Sequence, residues 1–514
     1  MKTQSATETL RPGEIHCQLS DSSVSLCLCG KVLIFWFYLI LEEEFVEIKF
    51  GTDGWRGIIA REFTFDNVSL VAQAVMDYMK REGLAEKGLV IGFDRRFLSR
   101  EFAMGVAEVA CANGIRVFWG DDYAPTPAVS WAVRELGAGG GVMITASHNP
   151  PIYNGFKFKE AFGGSARPAT TKILEDMVRA NLVGGRPVLA TPFLEARSAG
   201  GIQTIDMRSG YLRQLERYVD LETIRRASIP VVVDPMYGAG TGFMPLLLPG
   251  SVEIHGEENP SFGGRPPEPT EENLTELSAL VREGKFQVGL AFDGDADRIG
   301  AVDENGDFFS SHCIFTVLLR HLFERKGRTG GVVKTVSSTR MIDLLCERFG
   351  LELFETPIGF KHICELMLDN DILMGGEESG GLGVKGHIPE RDGILMGLLL
   401  LEAMAMSDKG LAELLSETMD EIGHFCYRRI DLPIENQARE DLISKLVSGG
   451  ITAIAGRKVD RENFRDGFKF IFADGSWLLI RPSGTEPVLR LYCEASEPSA
   501  VEELLAAGRE IAGV

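Results

Sequence analysis

GVMITASHNPP, residues 141–151, and VGLAFDGDADR, residues 288–298, are built alike: a short, continuously apolar run that ends abruptly in a polar loop. LVIGF (89–93), PVVVD (230–234) and GGVVKT (330–335) repeat the arrangement, and several of these runs precede stretches of helical period. Apolar runs of this length without alternation are strands covered on both faces, and strands alternating with helices make α/β units. Ligands of such units gather beyond the C-terminal ends of the strands. The polar loops are therefore where chemistry is expected.

The C-terminal part changes character. FKFIFADGSWLLIRPSGTEPVLRLYCEA (468–495) reads as antiparallel strands about an Asp474-Gly475 turn, with a strand from Val488 and a closing helix over 498–513. Gly-rich or turn-rich segments near 184–204 and 303–307 supply boundaries. The expected fold is α/β: three similar α/β domains with mixed sheets over 46–200, 201–303 and 304–424, then a smaller α+β domain over 425–514.

A chain of 514 residues exceeds what one core supports. With 74 acidic and 53 basic residues the net charge is −21, which repels a phosphate backbone and argues against nucleic acid as a partner. An anionic small substrate would have to meet locally gathered Arg, Lys and backbone N–H groups. The 9 cysteines are scattered and lack the paired spacing of a zinc site or a disulfide framework, which fits a reducing cytoplasm. No stretch reaches the roughly 18 apolar residues that span a bilayer. Nothing in the sequence fixes an oligomeric state.

Residues 1–45 read differently from the rest. The apolar run VLIFWFYLIL (32–41) has neither helical nor strand period, and it lacks the flanks of a signal peptide. A membrane anchor or sorting signal is one reading. The other is a non-native or disordered extension, with translation starting at Val46: valine codons include GTG, and codons for Glu42, Glu43 and Glu44 spell a purine-rich tract.

Four loops carry chemistry. In TASHNPP (145–151), Ser147 stands in a sharp turn at a strand end as an exposed nucleophile, with His148 beside it and Pro150 and Pro151 stiffening the turn. An ST-turn is the alternative for an isolated serine. Lys157, ten residues on, can stabilise a transferred phosphate or handle a proton. In DGDADR (293–298), Asp293, Asp295 and Asp297 fall on one side of an extended loop, with only Arg298 nearby as a counter-charge. Carboxylates so close call for a hard divalent ion, Mg²⁺ above all. An EF-hand loop is disfavoured by Arg298 where glycine is required and by the preceding strand. GGEESGGLG (375–383) offers acceptors suited to sugar hydroxyls, or else a mobile linker. RPSGTEP (481–487) offers Arg481, two hydroxyls and backbone N–H groups, an anion cradle or an ordinary turn.

With all four loops in this order, residues 46–514 resemble the α-D-phosphohexomutase family. The resemblance implies four domains forming a heart-shaped molecule around a central cleft, one loop from each. It implies a phosphoserine at Ser147, and Mg²⁺ held by Asp293, Asp295, Asp297 and an oxygen on Ser147. It further implies Arg56, in GTDGWRG (51–57), as support for the reacting phosphate, and Lys157 as general base. Glu377 and Ser379 would contact sugar hydroxyls, Arg481, Ser483, Gly484 and Thr485 the non-reacting phosphate, and Lys334 and Lys361 the cleft. The implied reaction interconverts glucose 1-phosphate and glucose 6-phosphate through a hexose 1,6-bisphosphate, with glucose 1,6-bisphosphate as activator.

Two departures matter. Relatives acting on both glucose and mannose phosphates often end the third loop in His, where this chain has Gly381. His387 and Arg391 are the candidates to replace it. Glucosamine-phosphate mutases usually carry Gln where this chain has Glu378, so the loop looks closer to phosphoglucomutases. A phosphomannomutase or dual-specificity enzyme is the alternative, ahead of a phosphoglucosamine mutase, a phosphatase or an inactive sugar-phosphate binder.

Overall fold

The computed structural model describes residues 48–51, 53–483 and 487–513. The extension read over 1–45 lies outside the described residues, as do Gly484 and Thr485.

Each apolar run becomes a strand, and the strands assemble four sheets. The first has six strands in the order Trp55–Ile58, Tyr153–Glu160, Gly140–Ile144, Leu89–Phe93, Val117–Gly120, Ile202–Ile205. Its first two pairings are antiparallel and the rest parallel. The second sheet centres on parallel Val231–Asp234 and Val288–Phe292, with Ile299–Val302 and Phe308–Phe309 added antiparallel. The third sets Leu353–Thr356, Gly331–Thr335 and Ile372–Gly376 in parallel and closes with antiparallel Leu382–Val384. The fourth is antiparallel throughout, with the hairpin of Phe468–Phe472 and Trp477–Pro482 turning at Gly475, whose φ is +81°. Mixed sheets in three α/β domains and an antiparallel sheet backed by the helix Pro498–Ala512 are the expected architecture.

Two expected boundaries shift. Ile202–Ile205 pairs with Val117–Gly120, so a break at 200 would cut the last strand from the first sheet. Phe308–Phe309 pairs with Ile299–Val302, so the second sheet runs past 303.

One apolar core runs through the three α/β domains. Its spine is the helix Gly393–Ser407, buried over its first 12 residues, and a helix apolar all round belongs inside. Asp392 caps that helix by accepting from Leu395 N at 2.9 Å. Phe292, Ala296 and Ile299 lie in the same core, so the Asp-rich loop is footed on packed side chains. No helix among the described residues is long and apolar enough to cross a membrane. The six described cysteines are free.

Candidate active site

The strand Gly140–Ile144 delivers Ser147, and Val288–Phe292 delivers Asp293; the two loops meet. Ser147 Oγ donates to Asp293 Oδ2 at 2.6 Å. Ser147 is fully buried, so the exposed nucleophile expected from sequence is instead shielded from solvent by the facing domain. Its φ is +54°, and Ala296 in the facing loop has φ +55°. Left-handed backbone at two residues with side chains is strain of the kind that folds retain at functional sites. His148 Nδ1 lies 3.4 Å from Ser147 Oγ. Burial and then Arg298, Arg56, Lys157 and Arg96 hold that imidazole well below its ordinary pKa, so it stands neutral. Arg56 donates to Asn149 Oδ1.

Asp293, Asp295 and Asp297 are solvent-inaccessible, and their ligand atoms lie within 4.8 Å of one another. Burial, then repulsion from Asp295 and Asp297, pushes the Asp293 carboxyl well above its usual range. Asp295 Oδ1 and Asp297 Oδ1 have no hydrogen-bond partner. Three buried carboxylates converging, two of them with an orphaned hard oxygen, fit a divalent cation.

Lys157 closes the other side. Its Nζ lies 2.8 Å from Asp295 Oδ2, from Asp297 Oδ2 and from Asp53 Oδ2. Burial alone would depress the ammonium, but these three carboxylates hold it above its ordinary value. A lysine so held stands as a cation beside the triad. Arg298 turns its guanidinium to Glu268 Oε1 at 3.2 Å, while its backbone N donates to Asp293 Oδ1 at 3.0 Å.

The third domain brings Glu377 and Arg391. Arg391 Nη2 lies 2.8 Å from Asp297 Oδ2 and also pairs with Asp53. Its Nη1 is 3.9 Å from Glu377 Oε2. A Cβ at Gly381 would fall 2.3 Å from Arg391 Cδ. The arginine thus fills the space a side chain at the loop end would take. His387 does not: its Nε2 lies 2.8 Å from Asp392 Oδ2 and its ring stacks on Trp131. Its neighbours Tyr211 and Tyr218 complete an aromatic packing site. His387 is thus engaged by Asp392 and Trp131, and Arg391 is the one of the two candidates that lies against Gly381. Burial raises the Glu377 carboxyl above its usual range, and Oε1 accepts from Gly359 N at 2.9 Å. Ser379 is half-buried in the same loop.

The remaining residues are spread more widely. Lys361 Nζ reaches Gly51 O at 3.4 Å, linking the third domain to the GTDGWRG loop. Lys334 is buried against Asp343 and Thr339 O, with no contact to the Asp triad. Arg481 Nε pairs with Asp466 Oδ1 at 2.8 Å, and Asp466 Oδ2 accepts from Ile358 N at 2.9 Å. Ser483 N donates to Val488 O at 2.8 Å. Sequence reasoning missed Asp53, the carboxylate shared by Lys157 and Arg391, and Thr126, whose hydroxyl donates to Asp295 Oδ2. It missed Asp94 and Arg96 as well. For Asp53 the signal was present, since the GTDGWRG loop had already given Arg56.

The chain matches the phosphoglucomutase/phosphomannomutase family in four consecutive segments. These are alpha/beta/alpha domains I, II and III over 47–182, 209–306 and 310–422, and the C-terminal domain over 436–511. A phosphoglucomutase/phosphomannomutase of Thermococcus kodakarensis is 31% identical over 465 residues, 89% of this chain and 97% of that one. A phosphoglucomutase of Komagataeibacter xylinus is 30% identical over 496 residues, covering 88% of each chain. Among solved structures, a Thermus thermophilus chain named as a phosphomannomutase superposes with a TM-score of 0.79 at 37% identity, covering 91% of this chain and 99% of that one.

Proposed function

Because the chain belongs to the phosphoglucomutase/phosphomannomutase family of α-D-phosphohexomutases, we propose that it interconverts glucose 1-phosphate and glucose 6-phosphate through phosphorylated Ser147. The observation that carries this reading is Ser147 Oγ at 2.6 Å from Asp293 within the buried carboxylate triad. Phosphoryl transfer is mostly positioning and electrostatic stabilisation, and the surrounding cations are placed for both.

In the proposed cycle a sugar hydroxyl oxygen bonds to phosphorus as the bond between phosphorus and Ser147 Oγ breaks, and the hydroxyl proton ends on Ser147 Oγ, giving a hexose 1,6-bisphosphate and free serine. The bisphosphate turns over, and its other phosphate returns to Ser147. Asp293, Asp295, Asp297 and an oxygen on Ser147 would hold Mg²⁺, which would supply charge neutralisation for the phosphoryl group. Arg56 and Lys157 are fixed positive charge beside the transfer, with Arg298 flanking. Arg391, seated where a loop-end side chain would be, carries the guanidinium that faces the reacting end. Glu377 and Ser379 receive sugar hydroxyls. Arg481, Ser483, Gly484 and Thr485 take the distal phosphate, for which Arg481 must leave Asp466.

A second reading, dual specificity for glucose and mannose phosphates, has its own support. Glu378 accepts from Tyr427 OH at 3.1 Å and lies 3.4 Å from Arg429. A carboxylate engaged by the fourth domain is poorly placed to discriminate at C2. The test is isomerisation with Mg²⁺ and a trace of glucose 1,6-bisphosphate, offering glucose 1-phosphate, mannose 1-phosphate and glucosamine 1-phosphate separately. Glucose turnover far above the others supports the first reading, and comparable glucose and mannose rates support the second. Release of inorganic phosphate without isomerisation would defeat both.

A further inference from the structure

We propose that Arg96, anchored by Asp94, is a positioning residue that fixes the left-handed backbone of Ser147 and thereby sets its hydroxyl against Asp293. The inference rests on the reading of Ser147 as the phosphoryl carrier.

Arg96 follows the strand Leu89–Phe93, next to the strand that delivers Ser147. Its guanidinium gathers four backbone carbonyls of the serine loop. Nη2 donates to Ser147 O at 2.5 Å and Asn149 O at 2.7 Å. Nη1 donates to Pro150 O at 3.0 Å and Tyr153 O at 3.2 Å. Nε is ion-paired with Asp94 Oδ2 at 3.2 Å, and Phe262 covers the guanidinium at 4.8 Å.

Asp94 holds the other side of the same peptide. Its Oδ2 accepts from Thr145 Oγ1 at 2.6 Å, and Thr145 Oγ1 in turn accepts from Ser147 N at 2.9 Å. Its Oδ1 accepts from Arg96 N and Ser99 Oγ. The N–H and the C=O of Ser147 therefore both lead back to Asp94, each through one intermediary. A residue at φ +54° needs such over-determination, because the conformation is unfavourable for any side chain larger than glycine's.

The clamp also reaches the facing loop. A Cβ at Gly294 would lie 2.4 Å from Ser147 O and 3.5 Å from Arg96 Nη2, so the Asp-rich loop packs directly on the clamped carbonyl. Neighbouring Arg95 donates to Thr241 Oγ1 at 2.8 Å and Gly256 O at 2.9 Å. That second-domain loop in turn donates from Ala239 N to Gly294 O at 2.9 Å. Two consecutive arginines thus tie the serine loop and the Asp loop to one strand end. Only a planar fork of several donors spans four carbonyls; a lysine ammonium is a point charge with three donors.

The test compares wild type, Arg96→Lys and Thr145→Val, which removes only the branch to Ser147 N. Single-turnover phosphorylation of Ser147 by glucose 1,6-bisphosphate is measured together with steady-state kcat and KM for glucose 1-phosphate. Arg96→Lys should lower the phosphorylation rate and kcat about 100-fold, with KM changed by less than about threefold. Thr145→Val should lose a smaller factor in the same parameters. An Arg96→Lys enzyme with wild-type kcat, or one whose loss lies mainly in KM, would overturn the proposal. If Arg96→Lys does not fold, Thr145→Val decides: a selective fall in kcat supports the clamp and an unchanged kcat refutes it. An inactive wild type would instead remove the phosphoryl-carrier reading on which the inference rests.

Discussion

Replacing Gly381 with alanine tests whether Arg391 has taken over the end of the sugar loop. The new Cβ would lie 2.3 Å from Arg391 Cδ and 3.0 Å from its Cγ. Carbon atoms pack at about 3.5–4.0 Å, so the arginine would have to retreat by about 1 Å or more. It has no free direction to take. Asp297 holds its Nη2 at 2.8 Å, Asp53 holds the same nitrogen, and Glu390 lies 3.4 Å from Nε. A displacement of about 1 Å in a group facing the reaction costs about 100-fold in rate, equivalent to about 2.7 kcal/mol. Gly381→Ala should therefore lower kcat/KM for glucose 1-phosphate by about that factor in a coupled assay of glucose 6-phosphate formation. If the effect passes through Arg391, the double variant Gly381→Ala/Arg391→Ala should be no worse than Arg391→Ala alone. A Gly381→Ala enzyme within about threefold of wild type, or full additivity in the double variant, would refute the reasoning.

His312 should make the protein acid-sensitive. Burial, then Lys334 and Lys469, holds its imidazole down at about 3 against an ordinary 6.5. Above pH 6.5 both folded and unfolded chains carry it neutral; below, only the unfolded chain takes the proton, so stability is lost between pH 6.5 and about 3. At about pH 5 that loss is about 2 kcal/mol, and denaturant unfolding of His312→Phe should be flatter by this amount between neutral pH and about pH 5. Parallel pH profiles for the two proteins would contradict it. Asp295→Asn removes one of three converging carboxylates, and the Mg²⁺ concentration needed for half-maximal activity should rise by at least about 10-fold; an unchanged Mg²⁺ titration would move the metal elsewhere.

Much of this was readable because the chemistry sits in consecutive residues at strand ends. Ser147 and the Asp triad announce themselves by adjacency alone. The partners that hold them do not. Asp94 and Arg96 lie in GFDRRF (92–97), after the same kind of apolar strand, and were overlooked because their work is done on backbone carbonyls fifty residues away. The strand Tyr153–Glu160 alternates Phe156, Lys157, Phe158 and Lys159, which puts both lysines on one face. That their face meets Asp53, Asp295 and Glu390 follows from sheet order and domain packing, which no local pattern encodes. His387 and Arg391 stand in one segment and looked alike as candidates. Only the fold turns one into an aromatic packing site and the other against Gly381. The strand Ile202–Ile205 passed for linker because half of it faces solvent and glycine precedes it.

The most direct test of the central claim is to follow the phosphoryl group itself. Enzyme labelled on Ser147 with radioactive phosphate from glucose 1,6-bisphosphate would be chased, in a single turnover, with unlabelled glucose 1-phosphate. The mutase account predicts that label leaves the protein for hexose bisphosphate and then glucose 6-phosphate, and that Ser147→Ala takes up none. Label that stays on the protein while isomerisation proceeds, or that appears as inorganic phosphate, would contradict it.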